Sequence, residues 1–394
     1  MFSRRTSWDR TTNRYTEAID GRRRDGRELL DLTASNPTTI GLSFRDAELL
    51  QSLSNREALT YQPIAKGLLP AREAVAAYYA EKGSTVSPED LILTTSTSEA
   101  YSFVFRLLCD PGDSVLVPAP SYPLFDFLAD LNDVRLIPYE LVYDHGWQID
   151  FTSLQSAILS ANAHGGHCRA ILVVHSNNPT GSYADRDEIN ELHRICTAHE
   201  LAIIADEVFL DYSLRDGPPA SFSGDRDALT FTLSGLSKIS ALPQMKVAWI
   251  AAGGPTGLKR EALARLEVIA DTYLSMNAPV QLAVPQLLAE RRHIQPQLME
   301  RVRTNLAALD LRLLSQKACT RLAVEGGWYA VLRVPALGSD EDMAVALLER
   351  TGVLVQPGYL YNFASNGYLV VSLITPSHDF ETGIDRALSH LSGR

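Results

Sequence analysis

The 394-residue chain has no apolar run near the roughly 20 residues that a membrane-spanning helix needs. Its longest apolar stretches, such as 170–174 and 201–205, have the length of strands. Arg4, Arg5 and the basic run at 22–24 are followed by no hydrophobic stretch, which argues against a signal peptide. Interleaved Asp9, Glu17, Asp20 and Asp25 argue against a transit peptide and leave an exposed, charged N-terminal arm. Cysteine is scarce. Cys109, Cys168, Cys196 and Cys319 form no C-x-x-C pair, so the expectation is reduced, buried thiols in a cytoplasmic protein. His164, His167 and Cys168, and the His193/Cys196 pair, match no zinc signature, and no metal is expected. Gly165 and Gly166 read instead as a turn ahead of a strand. Positive charge is in deficit too, with 36 Lys and Arg against 47 Asp and Glu and a net charge of −11. Nucleic acid or an anionic membrane would be repelled at long range, whereas a small anion could still find a locally positive site. No G-x-G-x-x-G follows a strand, no G-x-x-x-x-G-K-[ST] occurs and no G-x-S-x-G is found. These absences remove the dinucleotide fingerprint, the P-loop and the nucleophile elbow.

What is present is a regular alternation. From about residue 45 to 290, helical stretches such as 71–82, 98–108, 123–131 and 186–199 alternate with short apolar runs. Those runs fall at 91–94, 114–117, 134–138, 170–175, 201–206, 228–233 and 246–251. Such alternation predicts an α/β fold with a mostly parallel sheet sandwiched by helices. After about residue 255 the pattern changes to a long helical region, 257–315, broken near Asn277-Ala278-Pro279. Strands then read at 328–334, 353–355 and 369–373, with helices at 340–349 and 379–391. The expected organisation is a large domain, 45–290, and a small α+β domain built from both termini, 1–44 and 291–394.

In a doubly wound sheet, ligands bind beyond the carboxyl ends of the strands. The polar residues there are Thr94 to Thr97, the Pro120-Ser121-Tyr122 run, His175 to Gly181, Asp206-Glu207 and Leu233 to Lys238. A lone Lys, a lone Asp, an Asn-Pro-Thr-Gly, an aromatic ring and hydroxyls at a helix start fit the parts of pyridoxal phosphate. Its aldehyde needs an amine, its ring nitrogen a buried carboxylate, its ring an aromatic face, and its phosphate a helix N-terminus. Five stretches in order, "YQPIAKGLLPAREAVAAYY" (61–79), "PGDSVLVPAPSYPLF" (111–125), "SNNPTGSY" (176–183), "ADEVFLDY" (205–212) and "LSKISALPQMKVAW" (236–249), carry a resemblance. The chain resembles the aminotransferase class I and II family of fold-type I pyridoxal phosphate enzymes, from "DLTASNPT" (31–38) to "PGYLYNF" (357–363).

The resemblance implies pyridoxal 5′-phosphate as cofactor and a role for each matching residue. Lys238 matches the lysine that carries the cofactor and then moves the proton at the substrate carbon. Asp206 matches the partner of the ring nitrogen, Asn178 that of the phenolic oxygen, and Tyr122 the ring that stacks on the cofactor. Ser96, Thr97 and Lys246 match the phosphate site. Tyr61 matches a tyrosine that reaches the phosphate of a neighbouring subunit, which implies a homodimer. The implied activity moves an amino group between a small amino donor and an oxo acid by a ping-pong mechanism.

Several positions depart from the family pattern. Ser96 stands where a glycine is usual, Gly235 replaces a serine, and Lys246 replaces a bidentate arginine with a point charge. Cofactor binding is therefore expected to be modest and salt-sensitive. Phe209 stands where a phenol usually donates to the cofactor, with Tyr212 a candidate substitute. The arginine that usually clamps the substrate carboxylate is absent from "GYLVVSLITP" (367–376), where the position falls at Val370. Lys66, Arg14, Arg22, Arg23 and Arg24 are substitutes by chemistry alone, and Thr272 near a usual second arginine gives no support for a dicarboxylate substrate. The missing arginine keeps open a lyase or decarboxylase on the same fold. Retention of both Lys238 and Asp206 argues against a binding module without catalysis.

Overall fold

A computed structural model of the chain describes residues 1–123, 125–162 and 166–393. Its largest element is an eight-stranded sheet. In chain order the strands are β1 (Leu91–Thr94), β2 (Ser114–Ala119), β3 (Arg135–Tyr143), β4 (Trp147–Ile149), β5 (Cys168–Val174), β6 (Ala202–Asp206), β7 (Thr230–Gly235) and β8 (Ala248–Gly253). They lie in the order β1-β8-β7-β6-β5-β2-β3-β4. The five strands from β7 to β3 run parallel, while β8 is antiparallel to both neighbours and β4 to β3.

The continuous apolar runs of the central strands are explained by burial on both faces. Side chains alternate along a strand. In β5, Leu172 and Val174 point to one core with Ile204 of β6 and Leu233 of β7, beneath helices Thr97–Leu108 and Thr256–Tyr273. Ile171 and Val173 point the other way with Ile203, beneath helices Phe151–Asn162 and Arg186–Ala198. The second of these begins with a reciprocal cap, in which Asp185 and Glu188 each accept the other's backbone N–H.

The long helical region divides into three helices, Thr256–Tyr273, Ala278–Ala289 and Arg291–Leu313. Asn277 caps the second by accepting the Val280 N–H, and Pro279 stands in its first turn, where its missing N–H costs nothing. A second break at Glu290 was not read from the sequence; its buried carboxylate takes an ion pair from Arg45 at 2.7 Å.

The remaining chain builds a second core. A four-stranded antiparallel sheet joins Thr320–Arg321, Tyr329–Arg333, Tyr368–Ser372 and Gln356–Pro357 in that order. Helices Asp340–Thr351 and Ser377–Leu391 pack on it. The N-terminus contributes a two-residue strand, Leu30–Asp31, parallel to Val353–Leu354, and helix Arg14–Arg24, from which Tyr15 donates its hydroxyl to the Val355 carbonyl at 2.8 Å.

Candidate active site

Asp206 ends β6, between the parallel strands β5 and β7, where its ladder neighbours Val174 and Leu233 are buried. It accepts the Tyr101 hydroxyl on Oδ2 at 2.8 Å and the Val208 N–H on Oδ1 at 3.1 Å. Burial raises its pKa, opposed by those two hydrogen bonds and by the charge of Lys238. Lys238 follows β7 on the short helix Leu236–Ile239. Its Nζ lies 4.7 Å from the centre of the Trp328 ring and 5.4 Å from that of Phe209. Loss of water pulls its pKa down to about 8, against the pull of Asp206 in the other direction. No hydrogen bond holds the amine among the described residues.

Both groups face a cavity of about 250 Å³, between the carboxyl ends of the large sheet and the second core. Thr97, Tyr122, Asn178, Asp206 and Lys238 all line it, five of the eight residues expected at the site. Thr97 opens helix Thr97–Leu108, whose first N–H groups have no intrahelical acceptor. Tyr122 turns its ring edge-on to Phe125 at 5.8 Å. Asn178 precedes a cis proline, and its buried side-chain oxygen has no partner among the described residues.

The other three lie outside the lining. Ser96 accepts the Glu99 N–H at 3.1 Å and so caps the helix; its φ of −163° is extended backbone, so the serine replaces glycine there without a left-handed turn. Lys246 is exposed on the turn before β8, whose Ala248 does line the cavity. Tyr61, 76% exposed, faces a separate surface hollow with Leu59 and Met276.

The departures from the family pattern have local explanations. A Cβ on Gly235 would stand 2.7 Å from the Val247 carbonyl oxygen and 2.9 Å from Ala248 Cβ, so close strand packing excludes a serine. Tyr212 does not replace the phenol missing at Phe209, because its buried hydroxyl donates to the Lys238 carbonyl at 2.6 Å. Val370 is fully buried in the second core. None of the candidate substitutes for its arginine lines the cavity. Lys66 bonds the Glu89 carbonyl, Arg14 pairs with Asp342 and Arg22 bonds the Glu28 carbonyl. Thr272 bonds within its own helix.

Residues missed in the sequence line the cavity from the second core: Tyr329, Gln356 and Tyr361, with Ser35 from the N-terminal segment. They are distant in sequence from the strand ends; Ser35 and Tyr361 fall in the two stretches that bound the resemblance, and Tyr329 and Gln356 in none that carries it. Ser237, also in the lining, was signalled by its place beside Lys238. No group of three or more metal-ligating side chains forms among the described residues. His164 of the group weighed as metal ligands and Gly165 of the expected turn lie outside them. His175 and His193, both buried, are pulled down to about 4 by burial, and His175 is held between the Ala220 carbonyl and the Ala184 N–H. No helix of the described residues is long and apolar enough to cross a membrane.

The arrangement offers an amine that can be neutral near pH 8, a buried carboxylate, an aromatic face and a helix N-terminus around one space. Comparison with known proteins agrees with that chemistry. The sequence model described as aminotransferase class I and II matches residues 27–383. The glutamate-pyruvate aminotransferase AlaA of Haemophilus influenzae is 27% identical over 380 residues, covering 93% of this chain and 92% of its own. The alanine aminotransferase of Mycobacterium bovis is 25% identical over 376 residues, covering 92% and 85%. Among solved structures, the alanine aminotransferase of Pyrococcus furiosus superposes with a TM-score of 0.89 over the whole of both chains, at 21% identity.

Proposed function

The chain belongs to the aminotransferase class I and II family, and from that premise we propose that it moves an amino group from a small amino donor to an oxo acid in two half-reactions, with pyridoxal 5′-phosphate held around Lys238. One observation carries this reading: Lys238, Asp206, Asn178, Tyr122 and Thr97, from five separate segments, converge on one cavity. The orphaned oxygen of Asn178, and the hydroxyls of Thr97 and Ser237, which have no partner among the described residues, suit a polar ligand in that space. When bound, the cofactor supplies an aldehyde for amines and a ring that accepts the electron pair of the substrate carbon.

Lys238 provides the amine that carries the cofactor. Released by the donor, it takes the proton from the substrate carbon and returns it one position away, a task suited to a group whose pKa burial has brought to about 8. Asp206 holds the proton of the ring nitrogen, and Tyr101 keeps its carboxylate aligned. Tyr122 would cover the ring, and Asn178 would bond its phenolic oxygen. Thr97 at the helix start, with Ser237 beside Lys238, would receive the phosphate, while Ser96 caps that helix and would offer its backbone rather than its hydroxyl. Lys246 adds a cation from the rim, and Tyr61 of one copy serves the site of the other in a homodimer. The exposure of Tyr61 and Leu59 beside a hollow of about 380 Å³ supports that assembly. The division into 45–290 and 1–44 with 291–394 is supported by the separate cores of the two sheets. Four unpaired thiols support a cytoplasmic location.

Steady-state rates measured with donor and acceptor both varied should give parallel double-reciprocal lines, with no release of ammonia or CO₂. Intersecting lines, or either gas evolved in proportion to turnover, would replace amino transfer with elimination or decarboxylation.

A further inference from the structure

The cavity around Lys238 has an uncharged far wall. Among its described lining residues, Lys238 is the one cation, and the residues contributed by the second core are Tyr329, Gln356 and Tyr361. Their placement follows from strand register. Gln356 pairs directly with Val370 across the antiparallel ladder, and Val370 pairs on its other side with Val331. Directly opposed residues share a face of the sheet, as do residues two apart on one strand. Gln356, Val370, Val331 and Tyr329 therefore stand on one face. A polar group is thus present one strand away from the buried valine, and it is an amide.

Tyr361 fixes that amide. Its hydroxyl donates to Gln356 Oε1, which leaves the Gln356 NH₂ group as the free hydrogen-bonding end. The Tyr361 carbonyl accepts the Ser121 N–H at 2.9 Å, tying this corner to the segment that carries Tyr122. The phenols of Tyr361 and Tyr329 are held neutral by burial. A free carboxylate entering here would lose its water and meet no counter-charge in the wall, whereas a neutral acceptor would lose far less.

We propose that Gln356, oriented by Tyr361, binds the group next to the amino-bearing carbon of the donor, and that this contact selects a neutral acceptor, an amide or hydroxyl, over a free carboxylate. This deepens the aminotransferase reading and rests on it. An oxo acid in the other half-reaction receives the same neutral contact, so its KM is high.

The cofactor-loaded protein is tested with L-alaninamide, L-alaninol and L-alanine by the absorbance change of a single half-reaction. The neutral donors should exceed alanine in kcat/KM by about tenfold or more. Gln356→Arg should reverse the order. Gln356→Leu, close in size, should lower kcat/KM for the neutral donors by about tenfold and for alanine by less, so that the preference shrinks. Tyr361→Phe should raise KM for the neutral donors with kcat retained, as a positioning residue requires. A readout independent of turnover is calorimetric titration with lactamide and lactate, of which lactamide should bind more tightly. Preference for alanine and lactate in the wild type would overturn the proposal and leave amino transfer standing. So would an order of donors that neither Gln356 variant changes. Inertness towards all three donors would overturn the proposal and the aminotransferase reading together.

Discussion

Lys238 has exchanged the water that normally surrounds an ammonium group for the rings of Trp328 and Phe209. That exchange lowers its pKa from 10.5 to about 8, with Asp206 opposing the shift. On the proposed function it is the neutral amine that would attack the cofactor's aldehyde, so the rate of cofactor capture by the unloaded protein should rise with pH and level off above about 8. A stopped-flow absorbance series over pH checks this; an inflection near the ordinary lysine value would show that the site stays hydrated. Asp206 is the counterpart. Burial favours its protonated form, and the hydroxyl of Tyr101 and the N–H of Val208 hold it back. Residues such as these were legible in the sequence because each ends an apolar strand, where a charged side chain has no packing role. Gln356 and Tyr361 were not, since a glutamine before Pro357 and a tyrosine in a turn carry no pattern of their own. Only the pairing of Gln356 with Val370 gives that glutamine meaning.

Helix Thr97–Leu108 shows how one element separates structural from functional hydroxyls. Ser96 is committed to the Glu99 N–H, whereas the Thr97 hydroxyl has no partner among the described residues and lines the cavity. Ser96→Ala should therefore cost about 1 kcal/mol of stability in denaturant unfolding, with a small change in cofactor affinity. Thr97→Val should leave stability nearly unchanged and weaken the cofactor by about tenfold. Equal effects of the two on affinity would place both hydroxyls on the phosphate. At this scale the central strands were readable because burial on both faces makes them continuously apolar. Strand β4 and helix Phe151–Asn162 escaped notice: the strand has three residues, and the helix, with three serines, a threonine and an asparagine, has weak intrinsic propensity. Its burial of Leu154, Ala157, Ile158 and Ala161 holds it in place. Strands Thr320–Arg321 and Gln356–Pro357 are two residues long and exist only through their neighbours in the sheet.

Taken whole, the molecule puts its reactive groups where two cores meet: the large sheet supplies the amine, the carboxylate and the helix N-terminus, and the second core supplies the uncharged wall. With a net charge of −11, a phosphate bound as proposed would depend on oriented N–H groups, hydroxyls and the exposed Lys246. Everything proposed for catalysis passes through one lysine, and that lysine can be trapped. Borohydride reduction of the loaded protein, followed by peptide mass mapping, should find one cofactor label per chain, on Lys238. If an amino donor is added first, Lys238 should be released from the cofactor, and the label should vanish. A label on any other lysine, or one on Lys238 that survives saturation with every donor tried, would contradict the account.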